Sequence, residues 1–194
     1  PPIASIGYQA SIVITPQQEA DMDIKATLNN LLIPYTSNYA GTLLPGIREY
    51  TITPGEKTTT ISGKGKAGLK QEENYYFFYL PVCYKGITGK SYAYYNTSRS
   101  KNLYLPASVD ENYSYDIQLP ENLTLCTPIQ EKKIDNPIGS FKITLTSEGS
   151  SLHIELALQI KKQLITPAEY PAFRSLITEW TDRTRKPILF KTVQ

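Results

Sequence analysis

Apolar and polar residues alternate with period two over long stretches of this chain, most clearly from Phe141 to Ile160. Phe141, Ile143 and Leu145 alternate with Lys142, Thr144 and Thr146. After Ser147-Glu148-Gly149-Ser150-Ser151, Leu152, Ile154, Leu156, Leu158 and Ile160 take one face, and His153, Glu155, Ala157, Gln159 and Lys161 take the other. Successive side chains of a strand point to opposite sides of its sheet, so the pattern predicts a half-buried antiparallel hairpin. The period changes at Thr166-Pro167-Ala168-Glu169, a capping box with proline at the first helical position. Tyr170, Phe173, Leu176, Ile177 and Trp180 follow at helical spacing as one apolar stripe. A stripe of that kind is unstable in water. It predicts one amphipathic helix, about residues 167–182, lying on the sheet built by the strands before it.

The rest of the chain is strand-like. Ile3 to Ile14 reads as a strand ending in Thr15-Pro16-Gln17-Gln18, and Met22, Ile24, Ala26 and Leu28 mark a second. Ile47 to Thr53 is a strand stopped by Pro54-Gly55, and Lys57 to Ile61 is threonine-rich and extended. Ser62 to Gly68 reads as a flexible basic loop. Tyr75 to Val82 is apolar on both faces, the mark of a central or sandwiched strand. Tyr92 to Tyr95 is a short aromatic strand. Tyr113, Tyr115, Ile117 and Leu119 alternate with polar residues up to Pro120, and short strands follow at Leu123 to Thr127 and Lys132 to Ile134. Asn136-Pro137-Ile138-Gly139 turns the chain into the main hairpin, and Ile188-Leu189-Phe190 closes it after Pro187. About ten short strands with Gly/Pro turns and one late helix predict an antiparallel β-sandwich with a C-terminal helix. The chain reads as one module over residues 1–194, with 96–102 as the point of division if there are two subdomains.

Composition narrows the function more than it defines it. The chain holds 15 Tyr and 14 Pro against one Trp, one Met and one His. Tyrosines suit pleated sheets, and prolines suit strand ends. At 194 residues it can bury roughly 70% of its unfolded surface. The net charge of +2 is carried by scattered basic residues, which argues against a nucleic-acid partner. No apolar run approaches the roughly 18 residues of a membrane span. Pro1-Pro2-Ile3 shows neither an initiator Met nor a signal peptide, so the chain reads as a fragment or a processed product.

The residues that could carry chemistry are few. Gly63-Lys64-Gly65-Lys66-Ala67-Gly68 matches G-x-G-x-x-G, but no helix follows to receive a pyrophosphate. Cys83 and His153 are the sole candidates for a thiol–imidazole pair. Cys83 sits at the end of an apolar strand and His153 on a polar face, so the expectation is no catalytic pair. Cys83 and Cys126 fit no metal spacing and read as two inert buried thiols, with a disulfide as the alternative. Asp110-Glu111 and Glu72-Glu73 read as solvated loop charges. No cofactor-binding or metal-binding residue is expected. The tyrosines are the best binding lead: Tyr92, Tyr94 and Tyr95 are the candidate ligand contacts, while Tyr75, Tyr79, Tyr113 and Tyr115 are expected in the core.

From Tyr115-Asp116-Ile117-Gln118-Leu119-Pro120-Glu121-Asn122-Leu123 onward a family resemblance appears. It continues through Cys126-Thr127-Pro128, Ile134-Asp135-Asn136 and Gln163-Leu164-Ile165-Thr166-Pro167-Ala168-Glu169-Tyr170. The region 103–191 resembles the C-terminal β-rich domain of unknown function found in bacterial multidomain transglutaminase-like proteins classed as proteases. The resemblance implies a non-catalytic accessory module attached to an upstream transglutaminase-like core of the same polypeptide, exported to the periplasm or cell surface. It carries no catalytic residue onto this chain, because that family's catalytic residues belong to the core. The other reading is a sandwich that binds glycan or peptide through exposed tyrosines.

Overall fold

The computed structural model describes residues 3–29, 44–83, 87 and 98–194. The architecture is mainly β with one α-helix among the described residues. An eight-stranded sheet carries β1 (Ile3–Ile14), β2 (Glu19–Asn29), β3 (Ile47–Pro54), β4 (Thr58–Gly68), β8 (Ser108–Gln118), β10 (Gln130–Asn136), β11 (Gly139–Glu148) and β12 (Ser151–Ile160). Their spatial order is β10-β11-β12-β8-β1-β2-β4-β3. A four-stranded sheet in the order β5-β6-β14-β9 is made by β5 (Lys70–Glu72), β6 (Tyr75–Phe78), β9 (Leu123–Leu125) and β14 (Ile188–Thr192). A short ribbon pairs β7 (Leu103–Tyr104) with β13 (Leu164–Ile165).

The predicted hairpin forms as read. β11 and β12 pair from Gly139↔Ile160 to Glu148↔Ser151, leaving a two-residue turn in which Gly149 takes a φ of 60°. A positive φ at the first turn residue matches the twist of the flanking strands, and glycine adopts it without steric cost. Asn136 closes the turn before it, its side-chain oxygen accepting from the N–H of Ile138 (2.9 Å) and Gly139 (3.3 Å). One ladder departs from the antiparallel expectation. β1 and β8 are parallel, from Ile3↔Ser108 to Val13↔Gln118, and they join two antiparallel halves at the middle of the large sheet. Strand pairing between segments so distant in sequence is set by the long connection, which residue alternation does not encode.

The glycine-rich stretch is not a loop. It is the second half of β4, paired with β2 from Ile24↔Gly63 to Glu19↔Gly68 and facing a bulge in β3 between Ile47 and Glu49. A Cβ at Gly63 would lie 2.1 Å from the Glu49 carbonyl oxygen, and one at Gly65 would lie 2.2 Å from that of Gly46. These glycines are present because the bulged backbone comes too close for any side chain.

The helix α1 runs Tyr170–Arg185, starting and ending about three residues beyond the expected bounds. The reciprocal bonds of the expected capping box form, but in a turn before the helix, so Pro167 is not its first residue; the N-cap is Glu169, whose side chain makes no cap bond. Glu169 N–H donates to Thr166 Oγ1 at 3.4 Å, and Thr166 N–H donates to Glu169 Oε2 at 3.1 Å. The residues between them make an isolated turn, because Pro171 has no N–H to continue the ladder through it. At the other end Lys186 is extended and Pro187 stops the helix.

Trp180, Phe173, Leu176, Ile177 and Tyr170 are all buried, and the helix lies against β11 and β12. Asn136 Nδ2 donating to the Ala172 carbonyl (3.1 Å) and a Lys132–Glu179 ion pair at 2.5 Å fix the helix over that half of the sheet. The inner residues of the four-stranded sheet, Tyr76, Phe78, Leu123, Ile188 and Phe190, belong to the same hydrophobic core. Helix and small sheet together cover one face of the large sheet.

Candidate functional site

The opposite face of the large sheet is open. Its residues follow from register. One row across the strands reads Glu49, Lys64, Asp23, Ser11, Asp116 and His153. The next central residues are Gln9, Ser114 and Glu155, then Gly7, Asn112 and Ala157. Gly7, Ser11 and Ser114 leave room over the β1–β8 pair, between the longer Gln9, Asn112 and Asp116. The result is a dished surface holding four depressions of about 370, 580, 340 and 480 Å³ that share lining residues such as Gln9, Ser11 and Asp116. His153 is fixed within it. Nδ1 lies 2.7 Å from Asp116 Oδ1 and Nε2 lies 3.2 Å from Glu155 Oε1. Those hydrogen bonds, that to Asp116 first, raise its pKa above the usual imidazole value.

On the inner side of the same strands lies a buried polar group among aromatics. Tyr8 faces Tyr113 across the parallel ladder with ring centroids 5.1 Å apart, and Trp180 of the helix packs 5.6 Å from Tyr113. Tyr115 donates its hydroxyl to the Pro81 carbonyl at 2.6 Å. Burial raises the phenol pKa of Tyr8, Tyr113 and Tyr115 well above 10, with Glu111 adding to the effect on Tyr113. Glu111 is not a loop charge. It is 2% exposed on the inner face of β8, accepting from the Ile87 N–H at 2.5 Å and from Tyr113 Oη at 3.4 Å. Continuing the Tyr113–Tyr115–Ile117 alternation two steps back would have found it. Its charge hid the pattern. Asp110, one residue away, faces the open side, as alternation requires.

Cys83 is buried in this core, and His153 stands on the open face of the large sheet. The sheet separates them, so they form no thiol–imidazole pair. Cys83 and Cys126 form no disulfide, and Cys126 is exposed rather than buried. Among the described residues no group of three or more His, Cys, Asp or Glu is placed to share a metal ion. Among the described residues no helix is long and apolar enough to cross a membrane.

The small sheet has an open face of another kind. β6 is central in its sheet, as its sequence suggested, but only one of its faces is buried. Tyr76, Phe78 and Leu80 point inward, and Tyr75 (36% exposed) and Tyr79 (47%) point out, with Phe77 half-buried between them. Cross-strand pairing places Leu189 beside Phe77 and Lys191 beside Tyr75. Lys191 Nζ lies 5.8 Å from the Tyr75 ring centre and Lys70 Nζ lies 5.3 Å from that of Tyr79. Alternation along β9 brings the exposed Cys126 to the same face, where its N–H donates to the Leu189 carbonyl at 2.8 Å. Tyr75 and Tyr79 are thus surface residues, contrary to the expected core placement. Tyr92, Tyr94 and Tyr95 lie outside the described residues.

Three comparisons bear on this geometry. No curated protein gives a significant match. A crystal structure titled as a "putative protease" from Parabacteroides distasonis superposes with a TM-score of 0.54 at 24% identity over 89% of this chain, which establishes likeness of fold. The chain spans 35% of the length of that protein. Residues 74–190, from the start of β6 into β14, match the model of a domain of unknown function with solved structures, DUF3858. That match covers more than half of the sequence, and the chain belongs to the DUF3858 family.

Proposed function

We propose that this chain is a non-catalytic accessory module of a larger, protease-like polypeptide, attached at the C-terminal side of a transglutaminase-like core and exported to the periplasm or cell surface. The similarity to a protein about three times as long supports a multidomain setting. The observation that carries the reading is the uncovered aromatic face of the small sheet. Tyr75, Phe77, Tyr79 and Leu189 form a contiguous apolar surface, the feature expected where a neighbouring domain packs. The Cys83–His153 separation agrees with a role other than thiol catalysis by this module.

Cys126 reports on that face directly. In the isolated chain its thiol reacts freely with maleimide. In the longer polypeptide carrying the upstream core, labelling slows by about tenfold or more as the face is covered. Equal rates in the two forms would remove the packing argument.

A further inference from the structure

We propose that the dished outer face of the eight-stranded sheet binds an oligosaccharide, neutral or carrying amino sugars. The inference is independent of the reading above, since the two faces belong to different sheets.

The shape comes first. Each depression falls within the ~300–1,000 Å³ range of small-molecule sites; three overlap on the central strands and the fourth extends from them toward β3. An elongated ligand could therefore occupy several at once. The room exists because Gly7, Ser11, Ser114 and Ala157 place almost no side-chain bulk over the β1–β8–β12 centre.

The chemistry then restricts the ligand. Five lysine or arginine side chains and six carboxylates line the depressions, so the face has no strong field of either sign. A nucleic acid or a sulfated polyanion needs a dense positive surface. An apolar ligand needs hydrophobic walls, and the groups lining the open centre here are polar: Gln9, Asn112, Ser114, Asp116 and Glu155, with Lys25, Lys64 and Lys142 beside them. An extended peptide gains most of its affinity by pairing its backbone with a sheet edge or filling apolar side-chain pockets, and a sheet centre offers neither. A polyhydroxyl chain suits such a surface. Planar amides and carboxylates can engage neighbouring hydroxyls in pairs, and the His153 ring, held by Asp116 and Glu155, is already oriented.

The test uses this chain and a printed array of neutral, N-acetylated, uronate-bearing and sulfated oligosaccharides. The best probes are then titrated into isotope-labelled protein and followed by two-dimensional NMR. Neutral or amino-sugar probes should bind with little salt dependence and shift amides of β1, β8 and β12. Ala157→Trp and Ser114→Trp, which fill the floor, should abolish binding. If either fails to fold, Gln9→Ala and Asn112→Ala test the same surface with about three- to tenfold losses each. Tyr79→Ala, on the other sheet, should leave affinity unchanged. The proposal fails if no probe shifts these strands at millimolar concentration or the shifts map to the small sheet. It fails equally if only polyanions bind and salt removes them, if a peptide takes the face instead, or if the floor-filling variants still bind.

Discussion

At the scale of single residues, burial and exposure here are decided by which side of a strand a residue occupies, even when its chemistry argues otherwise. Asp110 and Glu111 are adjacent acids, one half-buried on the open face and one 2% exposed among tyrosines. Ionised or not, a carboxyl so deep must be hydrogen-bonded, and the Ile87 amide and the Tyr113 hydroxyl both donate to it. The glycines of β4 make a second case. Gly65→Ala would drive a methyl to within 2.2 Å of the Gly46 carbonyl, whereas a Cβ at Gly68 meets nothing within 4 Å. Gly65→Ala is expected to cost about 1–3 kcal/mol in chemical denaturation, and Gly68→Ala less than about 0.5 kcal/mol. Equal effects at the two positions would mean that β3 does not crowd β4 as described.

At the scale of elements, the hairpin and the helix were legible because each repeats one period over many positions, and burial follows that period. The start of the helix was legible only in part. Thr166 and Glu169 bond reciprocally as a capping box should, yet the continuous helix waits for Tyr170 because Pro171 interrupts the first turn. Glu169 also pairs with Lys162, and that ion pair, followed by the Thr166 N–H, lowers its pKa to about 2 from 4.5. Because the folded-state pKa is the lower one, the contribution of Glu169 is complete above about pH 4.5 and is lost as pH falls toward 2. Thermal melts of the parent chain and Glu169→Gln should therefore differ at neutral pH and converge between pH 4.5 and 2. A gap that persisted at pH 2 would assign the effect to something other than this carboxylate.

At the scale of the whole molecule, one core joins residues from β1 to β14, with Trp180 where helix and large sheet meet. Trp180→Ala should cost about 3–5 kcal/mol through lost burial and the cavity left behind. Because that core is continuous, urea unfolding should remain a single transition when followed by both far-ultraviolet circular dichroism and tyrosine fluorescence. Two separate transitions would show that the halves meeting at the β1–β8 ladder fold independently.

What the sequence determined by itself was periodic and local: a mainly β chain, the β11–β12 hairpin, its turns, and one amphipathic helix after a capping box. These depend on side chains a few positions apart, and sequence spacing records such relations directly. The tertiary structure decided what depends on distant neighbours. The parallel β1–β8 pairing, the bulge that forces glycine into β4, the burial of Glu111, the exposure of Tyr75, Tyr79 and Cys126, and the dish around His153 all arise from segments brought together across the chain. Alternation assigns each residue to a side of its strand. Which side meets solvent is settled only when another layer covers one of them.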